Sequence, residues 1–284
     1  MPEEFRAIYD PESIPLPENY MPMPVVNCGW AADGRDENVE EYPRRPERIR
    51  KHIADYYSMI THVDARIGEI VAALEKRGML DDTIIILMGD NGLAVGCHGL
   101  MGKQNIYEHS VSVPLIMAGP GVPAGKQDDR LCCLIDVFPT VCSLCGIGIP
   151  ASVEGKSLAP LFADPDASVR QDLYFAFQGR IRGVSDGRYK LIEYRTEDLK
   201  LTQLFDLEKD PCERFNFFDM HGYEEITARL RARLLEYRRE TDDEDSKYGR
   251  IYWQAWDNYE KAVVPNPGKP SGKNIERSLA LKTN

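Results

Sequence analysis

The sequence predicts an α/β protein: part of a mostly parallel sheet flanked by helices, followed by a small C-terminal antiparallel sheet with a helix beside it. Three observations carry this expectation. Residues 46–77 repeat apolar positions at steps of three and four. Residues 83–88 and 113–121 are short apolar runs that end in polar or glycine-rich turns. Beyond about residue 168, strand-like segments alternate with turn chemistry ahead of one more helical pattern.

Residues 1–45 are rich in Pro, Glu and Asn, have little periodicity, and read as an irregular arm. Ile49, Ile53, Tyr56, Ile60, Val63, Ile67, Ile70 and Leu74 then mark one face of a long helix, which Gly78 stops. A buried strand follows at once, so this helix is expected to pack on a sheet. Thr83–Met88 is apolar on both faces and is expected to be that central strand, with "VPLIMAGPG" as another. The segment "LIDVFPTVCSLCG" reads as a helix from near Asp136 to Gly146, and 154–162 as a short helix or turn. Residues 46–165 thus form the α/β part and 166–284 a C-terminal α+β part. In the latter, "DLYFAFQ", "IRGVSDGRYKLIEY" and "TQLFDLEKDPCERFN" supply strands, and Ser185-Asp186-Gly187 a hairpin turn. A helix over Glu224–Arg239 follows, then a tail from Asp242 expected to be frayed.

At 284 residues, 43% hydrophobic and 29% charged, the chain has the composition of an ordinary soluble protein. Its net charge of −11 argues against nonspecific nucleic-acid binding and against anionic membranes. It leaves room for an anionic substrate at a locally positive site. No apolar run approaches the length of a membrane helix and no signal peptide is visible, so the chain as written is expected to be cytoplasmic. Seven unevenly spaced cysteines do not form a disulfide framework. Cys142 and Cys145 make a CxxC with no second pair to complete a zinc site, and are read as core residues.

The stretch "DDTIIILMGDNGLAVGCHGLMGKQNIYEHSVSVPLIMAGPG" (81–121) carries the chemistry. In open α/β sheets, ligands collect at the carboxyl ends of strands, where Asp90 and Asn91 fall. A carboxylate beside an amide carbonyl offers hard oxygens that suit Ca²⁺ or Mg²⁺. Gly92 is expected to let the chain turn tightly there; Asp-Asn-Gly is also a common plain turn. Lys103 follows a glycine, but a phosphate-loop reading fails because Cys97 stands where the first glycine is needed and Gln104 replaces the Ser/Thr. Lys103 can still bind an anionic oxygen held by a metal. His98 either donates to that oxygen or orders the loop. His109 is read as non-catalytic and His62 as packing or surface.

The same stretch resembles the later metal-binding segment of the sulfatase family, in the alkaline-phosphatase-like superfamily. "YYSMITHVDARIGEIVAALEKRGMLDDT", "LIDVFPTVCSLCGIGIPASVEGKSLAPLF", "VSDGRYKLIEY" and "QLFDLEKDPCERFN" extend the resemblance over almost the whole chain. It implies metal-assisted hydrolysis of sulfate esters by a formylglycine made from Cys or Ser, beside a divalent cation, usually Ca²⁺. Asp90 and Asn91 match two metal ligands, and Lys103 matches the lysine that contacts the sulfate oxygens. Metal and lysine would neutralise charge on the sulfuryl group. The Gly-Leu-Met-Gly-Lys loop resembles that of members acting on sulfated sugars.

One departure matters as much. The nucleophile motif Cys/Ser-x-Pro/Ala-x-Arg does not occur in the chain. The paired aspartates of the family's first strand are absent too. The resemblance therefore implies a chain that starts within a sulfatase, lacks an N-terminal half, and is inactive alone. A non-catalytic sulfatase-fold binding or assembly protein is one alternative. A portion of a phosphodiester or phosphonate ester hydrolase of the same superfamily is another.

Overall fold

The computed structural model describes residues 2–6, 8–26 and 34–262. Helix α1 (Glu3–Arg6) opens the chain, and an irregular segment leads to α2 (Pro46–Lys76). Proline in the first turn of α2 suits its missing N–H, and Gly78, with φ of 64°, takes the left-handed position beyond the cap at Arg77. Strand β1 (Ile85–Met88), helix α3 (Glu108–Val111) and strand β2 (Leu115–Ala118) follow, then α4 (Val137–Leu144) and α5 (Ala159–Ala163). Strands β3 (Leu173–Phe177), β4 (Ile181–Ser185), β5 (Tyr189–Arg195) and β6 (Lys200–Asp206) form an antiparallel meander in that order. Helices α6 (Glu224–Glu240) and α7 (Lys247–Ala262) complete the described chain.

The four-stranded sheet is packed on both faces, as period-two geometry requires. Ile181, Ile192, Tyr194 and Phe205 point to one side, where they meet Ala94, Leu100, Ile106 and Tyr107 of the polar loop. Val184, Leu191 and Leu204 point to the other, where α6 contributes Leu230 and Leu234, and α7 contributes Tyr252, Trp253 and Trp256. A third cluster sets Ile49, Ile53 and Ala54 of α2 against Ile14, Met101 and partly buried Tyr20. The hairpin turn forms as its chemistry demands. Gly187 takes φ of 92°, and the Asp186 carboxylate accepts from the Arg188 and Tyr189 amides at 3.0 and 2.6 Å.

The α/β character and the C-terminal antiparallel sheet are as the sequence predicts, but five details differ. Strands β1 and β2 pair antiparallel, Ile85 opposite Ala118 and Met88 opposite Leu115, so no parallel ladder occurs among the described residues. Their connection is an irregular loop that turns back rather than a crossover helix, and a returning chain must pair antiparallel. The strands are also less buried than their composition predicts: Leu87 is 39%, Met88 49% and Ile116 57% exposed. Helix α2 buries Ile49, Ile53 and Ala54, whereas Ile60, Val63 and Ile70 are exposed rather than packed on a sheet. Residues 247–262 are helical with both tryptophans buried, where a frayed tail was expected; the rest of that tail, 263–284, lies outside the described residues. Of the CxxC pair, Cys142 is buried but Cys145 is exposed, because it follows the last turn of α4.

Candidate active-site loop

The loop between β1 and β2 is built by backbone contacts. The Gly89 amide donates to the Pro114 carbonyl at 3.1 Å and the Gly92 amide to the Ser110 carbonyl at 3.0 Å, so the strand end is tied to the returning chain. A Cβ on Gly92 would lie 2.0 Å from the His109 carbonyl oxygen. Close approach, rather than the tight turn expected from the sequence, is what demands glycine there. Beyond it, the Ala94 amide donates to Gly102 (3.0 Å) and the Gly96 amide to Leu100 (2.7 Å), folding 94–102 into a hairpin. Four of the five residues at its tip, Val95, Gly96, His98 and Gly99, take positive φ, and Cys97 between them does not. A Cβ on Gly99 would strike the Met23 backbone, so the arm lies directly on this tip.

This hairpin sets Gly102, just before Lys103, opposite Ala94, three residues beyond Asn91. Asp90 is exposed at the strand end, and its Oδ1 accepts the Asn91 amide at 2.8 Å. Asn91 Nδ2 donates to the Gly92 carbonyl at 2.9 Å, which orients the amide so that its oxygen is the remaining acceptor. The donor chemistry fits a hard divalent cation. It supplies only two residues toward the six to eight oxygens that Ca²⁺ takes. Among the described residues no cluster of three or more His, Cys, Asp or Glu could hold a metal by itself.

Sequence reasoning missed what holds Lys103. The Glu37 carboxylate is buried and accepts the Met101 and Gly102 amides, each at 2.9 Å, just before the lysine. Arg44, fully buried, donates to the same carboxylate at 2.8 Å, so the charge is paired as burial requires. The neighbouring Asp36 meets the Lys103 ammonium at 3.2 Å and accepts from Gln104 Nε2 at 2.7 Å. Hydrogen bonds from Arg35 and Gln104, with Lys103 beside them, hold the Asp36 carboxyl down to about 2. Both acids lie in an aperiodic polar arm, where no pattern distinguishes them from solvated surface.

The histidines are placed inward. The His98 ring is buried and stacks on Tyr107, centroids 4.0 Å apart and planes 13° from parallel. Tyr107 in turn donates to Gln203 Oε1 of β6 at 2.8 Å. His98 Nε2 and both ring nitrogens of His109 are enclosed without hydrogen-bond partners. Burial, with the Lys190 charge, lowers His98 to about 4; burial, with His98 and Lys190, lowers His109 to about 3. Of the two roles open to His98 in the sequence, this surrounding matches the ordering of the loop. His62 lies in α2 with its ring against Phe5 at 4.7 Å. Lys190 of β5, itself fully buried, bridges Glu108 at 2.5 Å and Glu213 at 2.9 Å, and so ties α3 to the C-terminal sheet.

An α/β core segment carrying an Asp-Asn pair at a strand end, fused to an antiparallel sheet that supports the loop behind it, is the arrangement of a sulfatase-type fold. The chain belongs to the sulfatase family. The Sulfatase profile matches residues 17–147, and the profile for N-sulphoglucosamine sulphohydrolase, C-terminal, matches residues 96–240. It is similar to Arylsulfatase K of Rattus norvegicus, 35% identical over 198 residues, covering 66% of this chain and 35% of that protein. Among solved structures it is similar to a protein in complex with its substrate D-glucosamine-2-N,6-O-disulfate (TM-score 0.65, 25% identity, 78% of this chain and 47% of that one). It shares its fold with the phosphonate monoester hydrolase of Silicibacter pomeroyi (TM-score 0.69, 24% identity, 84% and 53%). The chain thus spans about a third of the rat relative and about half of these structures. No helix among the described residues is long and apolar enough to cross a membrane.

Proposed function

We propose that this chain carries the second metal-binding segment and the sulfate-contacting lysine of a hydrolase of sulfate esters, with a sulfated sugar as the favoured substrate class. The observation that supports this most is the built loop: Asp90 and Asn91 at the end of β1, and Lys103 on a hairpin whose backbone Glu37 grips. Asp90 and Asn91 would hold a divalent cation, Ca²⁺ by preference, which when bound supplies Lewis-acid neutralisation of the sulfuryl oxygens. The chain's own contribution is charge and order. Lys103 offers an ammonium to an anionic oxygen, and the Glu37 clamp fixes where it starts. The disulfated glucosamine bound by a structural neighbour supports the sugar reading.

The nucleophile is assigned to polypeptide outside these 284 residues, because no Cys/Ser-x-Pro/Ala-x-Arg occurs in them to yield a formylglycine. The open apolar surfaces agree with this. A two-stranded sheet is marginal alone; Leu87 and Ile116, directly opposite each other, leave one of its faces exposed, and Met88 is exposed on the other, so further structure could pack there. By this reading the isolated chain does not turn over sulfate esters and binds Ca²⁺ weakly.

The test is to join the chain to a sulfatase segment bearing Cys-x-Pro-x-Arg and assay an aryl sulfate, a sulfated glucosamine and a phosphonate monoester. Sulfate-ester hydrolysis is expected, and Asp90→Ala or Lys103→Ala should each lower turnover about 10²- to 10³-fold. Unchanged turnover in either variant removes that residue from the site. Hydrolysis of the phosphonate alone moves the chain to the other chemistry.

A further inference from the structure

We propose that Asp36 is a displaceable resting counter-ion of Lys103: it holds the ammonium while the site lacks an anion and gives it up when the sulfate group arrives. This rests on the assignment of Lys103 as the sulfate-contacting residue. Asp36 is thus a positioning residue that sets how readily the lysine is available.

The geometry separates two jobs between adjacent acids. Glu37 grips backbone: both of its oxygens accept amides, at Met101 and Gly102, and a buried arginine neutralises it. It has no freedom to leave without stranding a buried charge. Asp36 instead grips a side chain, and both it and Lys103 retain access to water, with 18% and 35% of their side chains exposed. An ion pair of that kind is weak and exchangeable.

Asp36 also has somewhere to go. Its Oδ1 accepts Arg35 Nε at 2.9 Å, while Oδ2 serves Lys103 and Gln104. When an incoming anion takes Lys103, the Asp36 carboxylate keeps a cation on its other oxygen and an amide donor on the same one, so no charge is abandoned. The Lys103 backbone stays fixed throughout, because its placement comes from Glu37. The three charges Arg35, Asp36 and Lys103 sum to one positive charge, which an anion can claim only by competing with Asp36.

The test uses the whole chain and inorganic sulfate. Acetylation of Lys103 by acetic anhydride is followed by mass spectrometry across a sulfate titration, with chloride at matched ionic strength as the control and exposed Lys51 as the internal reference. Sulfate is expected to protect Lys103 selectively, with half-protection in Asp36→Asn at about two- to fivefold lower sulfate than in the wild type. Asp36→Glu, which keeps a carboxylate, should return toward the wild-type value. Equal half-protection in wild type and Asp36→Asn overturns the counter-ion role while leaving Lys103 as the sulfate contact. Protection of Lys103 in neither, or protection that chloride matches, overturns both. Loss of fold in Asp36→Asn, read by circular dichroism, would show that the pair is structural and also overturn the proposal.

Discussion

The two sheets of this molecule invert what their sequences suggest. The β1–β2 pair, Ile-Ile-Leu-Met against Leu-Ile-Met-Ala, is wholly apolar, yet Leu87, Met88 and Ile116 face solvent. The β4–β5–β6 sheet contains Arg182, Lys190, Glu193, Arg195 and Asp206, and every one of these is buried. Burial is decided by whether a second layer is present. The C-terminal sheet has the polar loop on one face and α6 with α7 on the other. Its charges are tolerated because each is paired: Lys190 with Glu108 and Glu213, Arg195 with Glu193, Arg182 with Asp243.

The contrast is broken most directly at Trp253. Its side chain fills the α7 side of the core and its indole N–H donates to Asp243 at 2.7 Å. Trp253→Ala should cost about 3–5 kcal/mol in urea unfolding. A midpoint within error of wild type would mean that α7 is not docked in solution.

Lys190→Met should cost about 3 kcal/mol, because it leaves Glu213 buried without its cation. The double variant Lys190→Met, Glu213→Leu should recover part of that loss. Additive destabilisation instead would deny that the two residues are coupled.

The buried histidines give the next effect, and its sign is fixed. His98 and His109 titrate near 4 and 3 in the folded chain against 6.5 unfolded. Between those values the unfolded chain binds more protons, so stability falls as pH falls from 6.5, by up to about 1.4 kcal/mol per pH unit for each ring. Glu213, raised by burial, works in the opposite sense, so the slope is best read as a difference between variants. His109→Leu removes a ring with no hydrogen-bond partner, and should flatten the slope without loss at pH 7. An unchanged slope would place that ring in contact with water.

The smallest effect is expected on the open sheet. Ile116→Ser should change the stability of the isolated chain by less than about 0.5 kcal/mol. A loss as large as that of a core truncation would show that something covers this face in solution.

Local periodicity made much of the fold legible. The start of α2 at Pro46, its stop at Gly78, the Asp186-Gly187 turn and the span of α6 all follow from contacts within a few residues. The candidate site was legible as residue types, Asp90, Asn91 and Lys103, because a polar cluster after an apolar strand stands out. Its supports were not. Glu37 and Asp36 act across 64 or more positions of chain, and an aperiodic arm gives no sign of which acid will meet which amide. His98 illustrates the same gap, since its polar loop context suggests access to substrate and its stacking on Tyr107 places it in the core.

By itself the sequence determined the α/β class, the bounds of α2 and α6 and the Asp186-Gly187 turn, and the acid, amide and lysine that define the candidate site. These depend on local propensity and side-chain chemistry, which are properties of short segments. Only the tertiary structure decided that β1 and β2 pair antiparallel and remain open, that charged strands lie in the core, and that Asp36 meets the Lys103 ammonium while Glu37 holds the two amides before it. Those outcomes depend on which distant surfaces meet. The free energy of burying a group belongs to the pair of surfaces and not to either segment alone.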